Sequence, residues 1–160
     1  MSNPLYLDIE DLDAVSGERI LGLDLGSKTI GIALSDTLQH VATPLETLRR
    51  KKFTADAKHL LGLADKFKIV AFVIGMPLNM DGSEGSRIQS TNAFVRNMAL
   101  KTDIPFVSWD ERMSTKAVER VLLEADATRA ARARVIDKMA AGYILQGALD
   151  RLSVLRAQRH

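Results

Sequence analysis

The sequence holds no cysteine, which excludes disulfides, zinc–thiolate sites and thiol nucleophiles. Aromatic residues make up only 5%, with one Trp, two Tyr and five Phe. That scarcity argues against binding flexible single strands by base stacking alone. The three histidines, His40, His59 and His160, form no zinc-like cluster. No apolar run nears the ~18 residues of a membrane span. The first residues lack the basic-then-apolar order of a signal peptide. Together these absences lead us to expect a cytoplasmic protein with no membrane partner.

What is present is a chain of 160 residues, 46% hydrophobic, sufficient for one domain with its own core. The formal net charge is +2, but it is unevenly spread. Residues 1 to 18 carry five acids (Asp8, Glu10, Asp11, Asp13, Glu18) and no Lys or Arg. From Arg112 onward ten Lys or Arg stand against five acids, and RRKK at Arg49 to Lys52 adds a second basic spot. Either patch alone reads equally well as a solvated surface. With the carboxylates described below, the pattern points to a polyanionic partner.

Residues 1–18 read as an acidic leader, flexible or packed only through Leu5, Leu7 and Ile9. A folded domain is expected over 19–152, followed by a basic tail over 153–160. RILGLDL and TIGIALS form a hairpin around Gly26 and Ser27. HVATPLETL, broken by Pro44, suits an edge strand. FTADAKHLLGLADKF sets Phe53, Ala57, Leu60, Leu61 and Ala64 on one helical stripe. IVAFVIG reads as a strand covered on both faces. A loop, MPLNMDGSEGS, leads to a helix from Arg87 to Leu100, and IPFVSW is another strand. Ser114 or Thr115 caps a helix through Ala117, Val118, Val121 and Leu122. An Arg-rich connector (EADATRAARAR) precedes a last helix, roughly Val135 to Leu152. This order implies an α/β fold: a five-stranded mixed sheet that opens with a hairpin, with helices on both faces.

Three carboxylates stand out. Strand alternation puts Asp24 on a face with Ile20 and Gly22, opposite Leu21, Leu23 and Leu25. If that face adjoins Gly31, Ala33 and Ser35, the carboxylate has room beside it; the alternative is that Asp24 orders the Gly26 turn. Glu111 ends the strand that carries Trp109 and Asp110, where parallel strands present sites. Asp110 suits a helix cap, so Glu111 is the better ligand. Asp137 shares a helical stripe with Ala140, Ala141, Ile144 and Ala148, near the helix start, where the helix dipole offers another explanation. Three carboxylates on separate elements suggest an oxygen-ligand site for Mg²⁺ or Mn²⁺. An acidic cage with basic surroundings suits phosphodiester chemistry. Arg112, Arg129, Arg132, Arg134 and Lys138 are candidate phosphate contacts, and Lys28 or Lys138 is placed to steady a scissile phosphate. In GMPLNMDGSEGSR, Gly75, Gly82 and Gly85 allow close backbone approach while Asn79 and Arg87 offer donors. This segment lacks the full Walker A pattern and reads as a strand-to-helix connection with a substrate-facing side.

Four stretches in series, GLDLGSKTIGIALSD (22–36), VIGMPLNMDGSEG (73–85), DERMST (110–115) and VIDKMAAGYILQGALD (135–150), resemble the YqgF/RuvX family. These are Holliday-junction-resolvase-like proteins, also described as pre-16S rRNA nucleases. The resemblance covers nearly everything from Arg19 to Leu152. It implies an RNase H-like fold and a metal-dependent nuclease site at Asp24, Glu111 and Asp137. Thr29 stands where the family commonly has Arg, Met76 where it has Leu, and the acidic leader is an addition. The expected activity is metal-dependent hydrolysis of phosphodiester bonds in maturation of the 16S rRNA precursor. The alternatives are a Holliday-junction-type DNA resolvase and a non-catalytic binder of structured nucleic acid. A phosphotransferase reading, prompted by DLGSKT, needs a second nucleotide-clamping domain that 160 residues are not expected to hold. The expected partner is structured RNA or branched DNA, and the protein is expected to be a monomer or homodimer.

Overall fold

The first two apolar runs fold back on each other, as their spacing predicts. Strand β1 (Arg19–Leu25) pairs antiparallel with β2 (Thr29–Ser35), and Gly26 N–H donates to the Thr29 carbonyl at 2.8 Å to close the turn. The computed structural model describes residues 5–12, 18–77, 85–110 and 129–158, and from 129 to 138 the backbone alone. Strand β3 (Ala42–Arg49) adds antiparallel to β2. Pro44 lies in this edge strand, next to a register shift between Ile32 and Ala33, where a missing N–H is tolerated. Helix α1 (Phe53–Phe67) crosses to β4 (Ile69–Met76), which pairs parallel with β1. Helix α2 (Ser86–Ala99) crosses to β5 (Phe106–Asp110), parallel to β4. The sheet order is β3-β2-β1-β4-β5, the mixed five-stranded sheet expected from the element order. The final helix, α3, spans Arg129–Gln158.

Alternation divides the core into two layers. Leu21, Leu23, Leu25, Ile30, Ile32, Phe72, Ile74 and Phe106 pack with Ala57, Leu60, Val95 and Met98 of α1 and α2. Ile20, Ala33, Ala71, Val73 and Val107 pack with Ala141, Ile144, Leu145, Ala148 and Leu149 of α3. Each fully buried Leu or Ile contributes about 1.5–3 kcal/mol. Gly22 is required on the α3 side: a Cβ there would lie 2.7 Å from Leu145 Cβ and 3.1 Å from the Ala141 carbonyl oxygen. Helix and strand backbones therefore touch at this point.

Three expectations need correction. Helix α3 begins at Arg129, not Val135, so the Arg-rich segment 129–134 is helical and Asp137 is not near the helix start. Arg and Ala are both strong helix formers, and the run contains neither Gly nor Pro to stop the helix. The same helix continues to Gln158, so 153–158 is helix rather than tail. Of the two readings of the leader, the packed one holds over residues 5–12, but through Tyr6 and Leu12 as well as Leu5, Leu7 and Ile9. Leu7 N–H donates to the Phe106 carbonyl at 2.8 Å, Tyr6 and Leu12 are buried, and Glu10 lies 3.8 Å from Arg151. Leu7 bridges Val107, so the leader covers part of the β5 edge. The expected helix over 114–122 lies outside the described residues.

Candidate metal and nucleic-acid site

Parallel pairing gathers the C-terminal ends of β1, β4 and β5 on one sheet edge. Asp24 lies there, one residue before the end of β1, half-buried on the face that packs against α3. Its partner on β2 is Gly31. On the other side Leu23 pairs with Ile74, which sets Asp24 in the row of Gly75 on β4. Both neighbours across the sheet are therefore glycines. Gly75 pairs in turn with Trp109 on β5, and Met76 with Asp110. The small-residue face inferred from sequence does adjoin Asp24, and it extends to both sides.

Asp137 belongs to the helix that covers this face. Helix α3 runs antiparallel to β1 and β3: Gly142 approaches Pro44, while Gln146 accepts from the Ala42 N–H at 2.8 Å. Ala141 and Leu145 lie over Gly22, so moving along β1 from Gly22 to Asp24 corresponds to moving toward earlier residues of α3. Asp137 is one turn before Ala141, about 6 Å along the axis in the direction of Asp24. From Ala141 back to Arg129, α3 extends about 18 Å, whereas β1 ends only about 10 Å past Gly22. The helical turns of Arg129, Arg132 and Arg134 therefore reach beyond the sheet edge. Lys138 follows Asp137 on the same helix. Glu111 directly follows Asp110, the last residue of β5, and lies outside the described residues, as do Asn79 and Arg112.

Cations brace the end of β1. Arg50 Nη1 donates to the Gly26 carbonyl at 2.7 Å, and Arg87 Nη2 to the Leu25 carbonyl at 3.3 Å. Arg87 thus reaches this edge from the first turn of α2, where the expected helix begins, and part of its donor capacity serves the protein. Lys28 is exposed in the hairpin turn. Sequence reasoning did not find the role of Arg50. Its Nε lies 4.0 Å from Asp56, a carboxylate only 2% exposed that also accepts the Lys51 N–H at 3.0 Å. The available signal was an acid in the first turn of α1 just after a basic run. A cleft of about 640 Å³ opens beside this edge between β5 and α3, lined by Trp109, Asp110, Tyr143 and Asp150 among others.

The donor chemistry suits a hard divalent cation. Asp24 places carboxylate oxygens at this edge, whereas His59 is paired with Glu46 and His40 belongs to the β2–β3 loop at the opposite sheet edge. Among the described residues no three His, Asp or Glu side chains gather as a cage. Of the three carboxylates inferred from sequence, only Asp24 has a described side chain.

Comparison with known proteins gives three findings. The RuvX family model, described as Holliday junction resolvase, matches residues 18–151. A protein from Beijerinckia indica subsp. indica, named "Putative pre-16S rRNA nuclease", is 62% identical over 136 residues, covering 85% of this chain and 82% of its own length. One of the same name from Rhizobium rhizogenes is 60% identical over 151 residues, covering 93% and 92%. Among solved structures, Thermus thermophilus RuvC in complex with a Holliday junction substrate superposes with a TM-score of 0.51 at 14% identity, over 84% of this chain and 96% of that one. At that identity the likeness establishes the shared fold.

Proposed function

Because the chain belongs to the RuvX family, we propose that it is a divalent-metal-dependent nuclease that hydrolyses phosphodiester bonds in the 16S rRNA precursor. One observation carries the reading: Asp24 stands at the C-terminal end of β1, between Gly31 and Gly75, on the face covered by the helix that carries Asp137. A carboxylate held half-buried at a strand end is stabilised by a nearby cation. Bare backbone on both sides leaves the approach to it open. The names of the Beijerinckia and Rhizobium relatives supply the RNA substrate.

Asp24, Glu111 and Asp137 would hold Mg²⁺ or Mn²⁺. When bound, the ion supplies charge neutralisation at the phosphate and lowers the pKa of water. The chain's own part is to fix the carboxylates and hold the substrate. Arg50 and Arg87 clamp the backbone just past Asp24, so the carboxylate is held by a rigid strand end. Lys28, Asn79, Arg112, Arg129, Arg132, Arg134 and Lys138 are assigned to backbone phosphates, which position without reading sequence. Metal dependence and substrate are tested together. The purified protein is incubated with a precursor 16S rRNA fragment and with a four-way DNA junction, each in Mn²⁺ and in EDTA. Cutting of the RNA in Mn²⁺ only is expected. Selective cutting of the junction would favour DNA resolution, and tight binding without cutting would favour a non-catalytic role.

A further inference from the structure

Of the run RRKK only Arg50 serves the carboxylate site, and the four cations are not equivalent. Arg50 turns inward: it donates to Gly26, lies 4.0 Å from Asp56 and sits 6.0 Å from the Phe94 ring. Its own N–H donates to the Lys28 carbonyl at 2.9 Å, and Asp56 accepts the next N–H, that of Lys51. The connection between β3 and α1 is thereby tied to the β1–β2 hairpin. Arg49, Lys51 and Lys52 are left exposed, beside the exposed Lys28. Among the described residues none of these four side chains enters an ion pair; the buried Asp56 accepts the Lys51 N–H through Oδ1 and turns Oδ2 toward Arg50.

Register fixes where this cluster lies. Leu25 pairs with Ile30, Ile30 with Leu48, and Thr29 with Arg49. Arg49 is therefore about 10 Å across the sheet from the end of β1, on the same edge as Asp24. The first turns of α3 extend past the same edge on the face of the sheet that carries Asp24. We propose that Arg49, Lys51, Lys52 and Lys28 form a second phosphate-binding platform, which grips a double-stranded arm of the substrate on the β3 side of the cleavage site. The identity of the ligand rests on the nuclease reading. Duplex rather than single strand is favoured by the lining: Phe53, the adjacent aromatic, is half-buried and set edge-on to Phe94 at 5.7 Å, and among the described residues of this patch no ring is fully exposed for bases to stack on. Anchoring through Asp56 and Arg50 fixes the backbone that carries the cations, which reduces the entropy lost on binding.

The test measures binding in EDTA, so that it does not depend on cleavage. A stem-containing RNA and an unstructured RNA of equal length are titrated at rising potassium chloride with wild type and with the triple variant Arg49→Ala, Lys51→Ala, Lys52→Ala. For the stem, the slope of log K against log salt should become shallower by about 3, with a loss of about tenfold or more in affinity. The unstructured RNA should lose less. Lys51→Glu with Lys52→Glu should weaken stem binding further, while Arg49→Lys should keep the wild-type slope. Unfolding midpoints equal to wild type establish that the variants fold. An unchanged slope, or equal losses on both RNAs, would overturn the platform. Failure of the nuclease reading would show instead as absence of metal-dependent cleavage with this salt response intact.

Discussion

A carboxylate flanked across the sheet by Gly31 and Gly75 has no neighbouring side chain in its row to shield it. Alternation alone placed Asp24 on the correct face, and the small residues of β2 indicated the gap. That Gly75 closes the row from the other side depends on the β1–β4 register, which the residues of one strand do not encode. Arg50 was hidden for a similar reason: its neighbours in sequence are all cations, and only tertiary packing separates the inward member from the outward ones. Close packing at Gly22 makes a residue-scale prediction. Gly22→Ala should destabilise the fold by about 1–3 kcal/mol, because the new methyl meets Leu145 Cβ at 2.7 Å and the Ala141 backbone. Urea unfolding read by circular dichroism measures it; an unchanged midpoint would mean that α3 can shift without cost.

Among the elements, the five strands and the first two helices were legible because each carries a clear period and is bounded by Gly, Pro or polar residues. Helix α3 was not. Its first turns are Arg- and Ala-rich with no apolar stripe, so periodicity could not separate them from a connector. In the leader, packing through Leu5, Leu7 and Ile9 was legible, whereas four acids among residues 5–12 and 18 obscure the contribution of Tyr6 and Leu12. Tyr6 donates to Asn92 Oδ1 at 2.7 Å, and burial pushes its hydroxyl up to about 12 from 10.0, with Arg96 opposing the shift. The neutral phenol is thus favoured in the folded state. Its contribution is complete below pH 10 and is lost as pH rises toward about 12. Tyr6→Phe should cost about 1 kcal/mol at neutral pH and should remove this part of the alkaline loss of stability. Denaturant titrations at pH 8 and pH 11 compare the two proteins; parallel alkaline losses would place the sensitivity elsewhere.

At the scale of the molecule, a near-neutral chain concentrates cations from distant segments at one sheet edge: Arg50 and Arg87 brace the end of β1, and Lys28, Arg49, Lys51 and Lys52 are exposed beside it. Binding should therefore weaken steeply with salt despite a formal net charge of only +2. Arg→Ala changes along Arg129, Arg132 and Arg134 should lower affinity similarly on unrelated sequences, as backbone contacts do. Base-dependent losses in competition titrations would contradict that. The central claim is that Asp24 serves the chemistry rather than the core, and Asp24→Asn isolates it by removing charge while keeping shape. The decisive measurement is single-turnover cleavage of a precursor 16S rRNA fragment in Mn²⁺ by wild type and by Asp24→Asn, with thermal unfolding of both. The rate should fall at least about a hundredfold while the unfolding midpoint stays equal to or above wild type in the absence of metal. Equal cleavage by the two proteins would contradict the account.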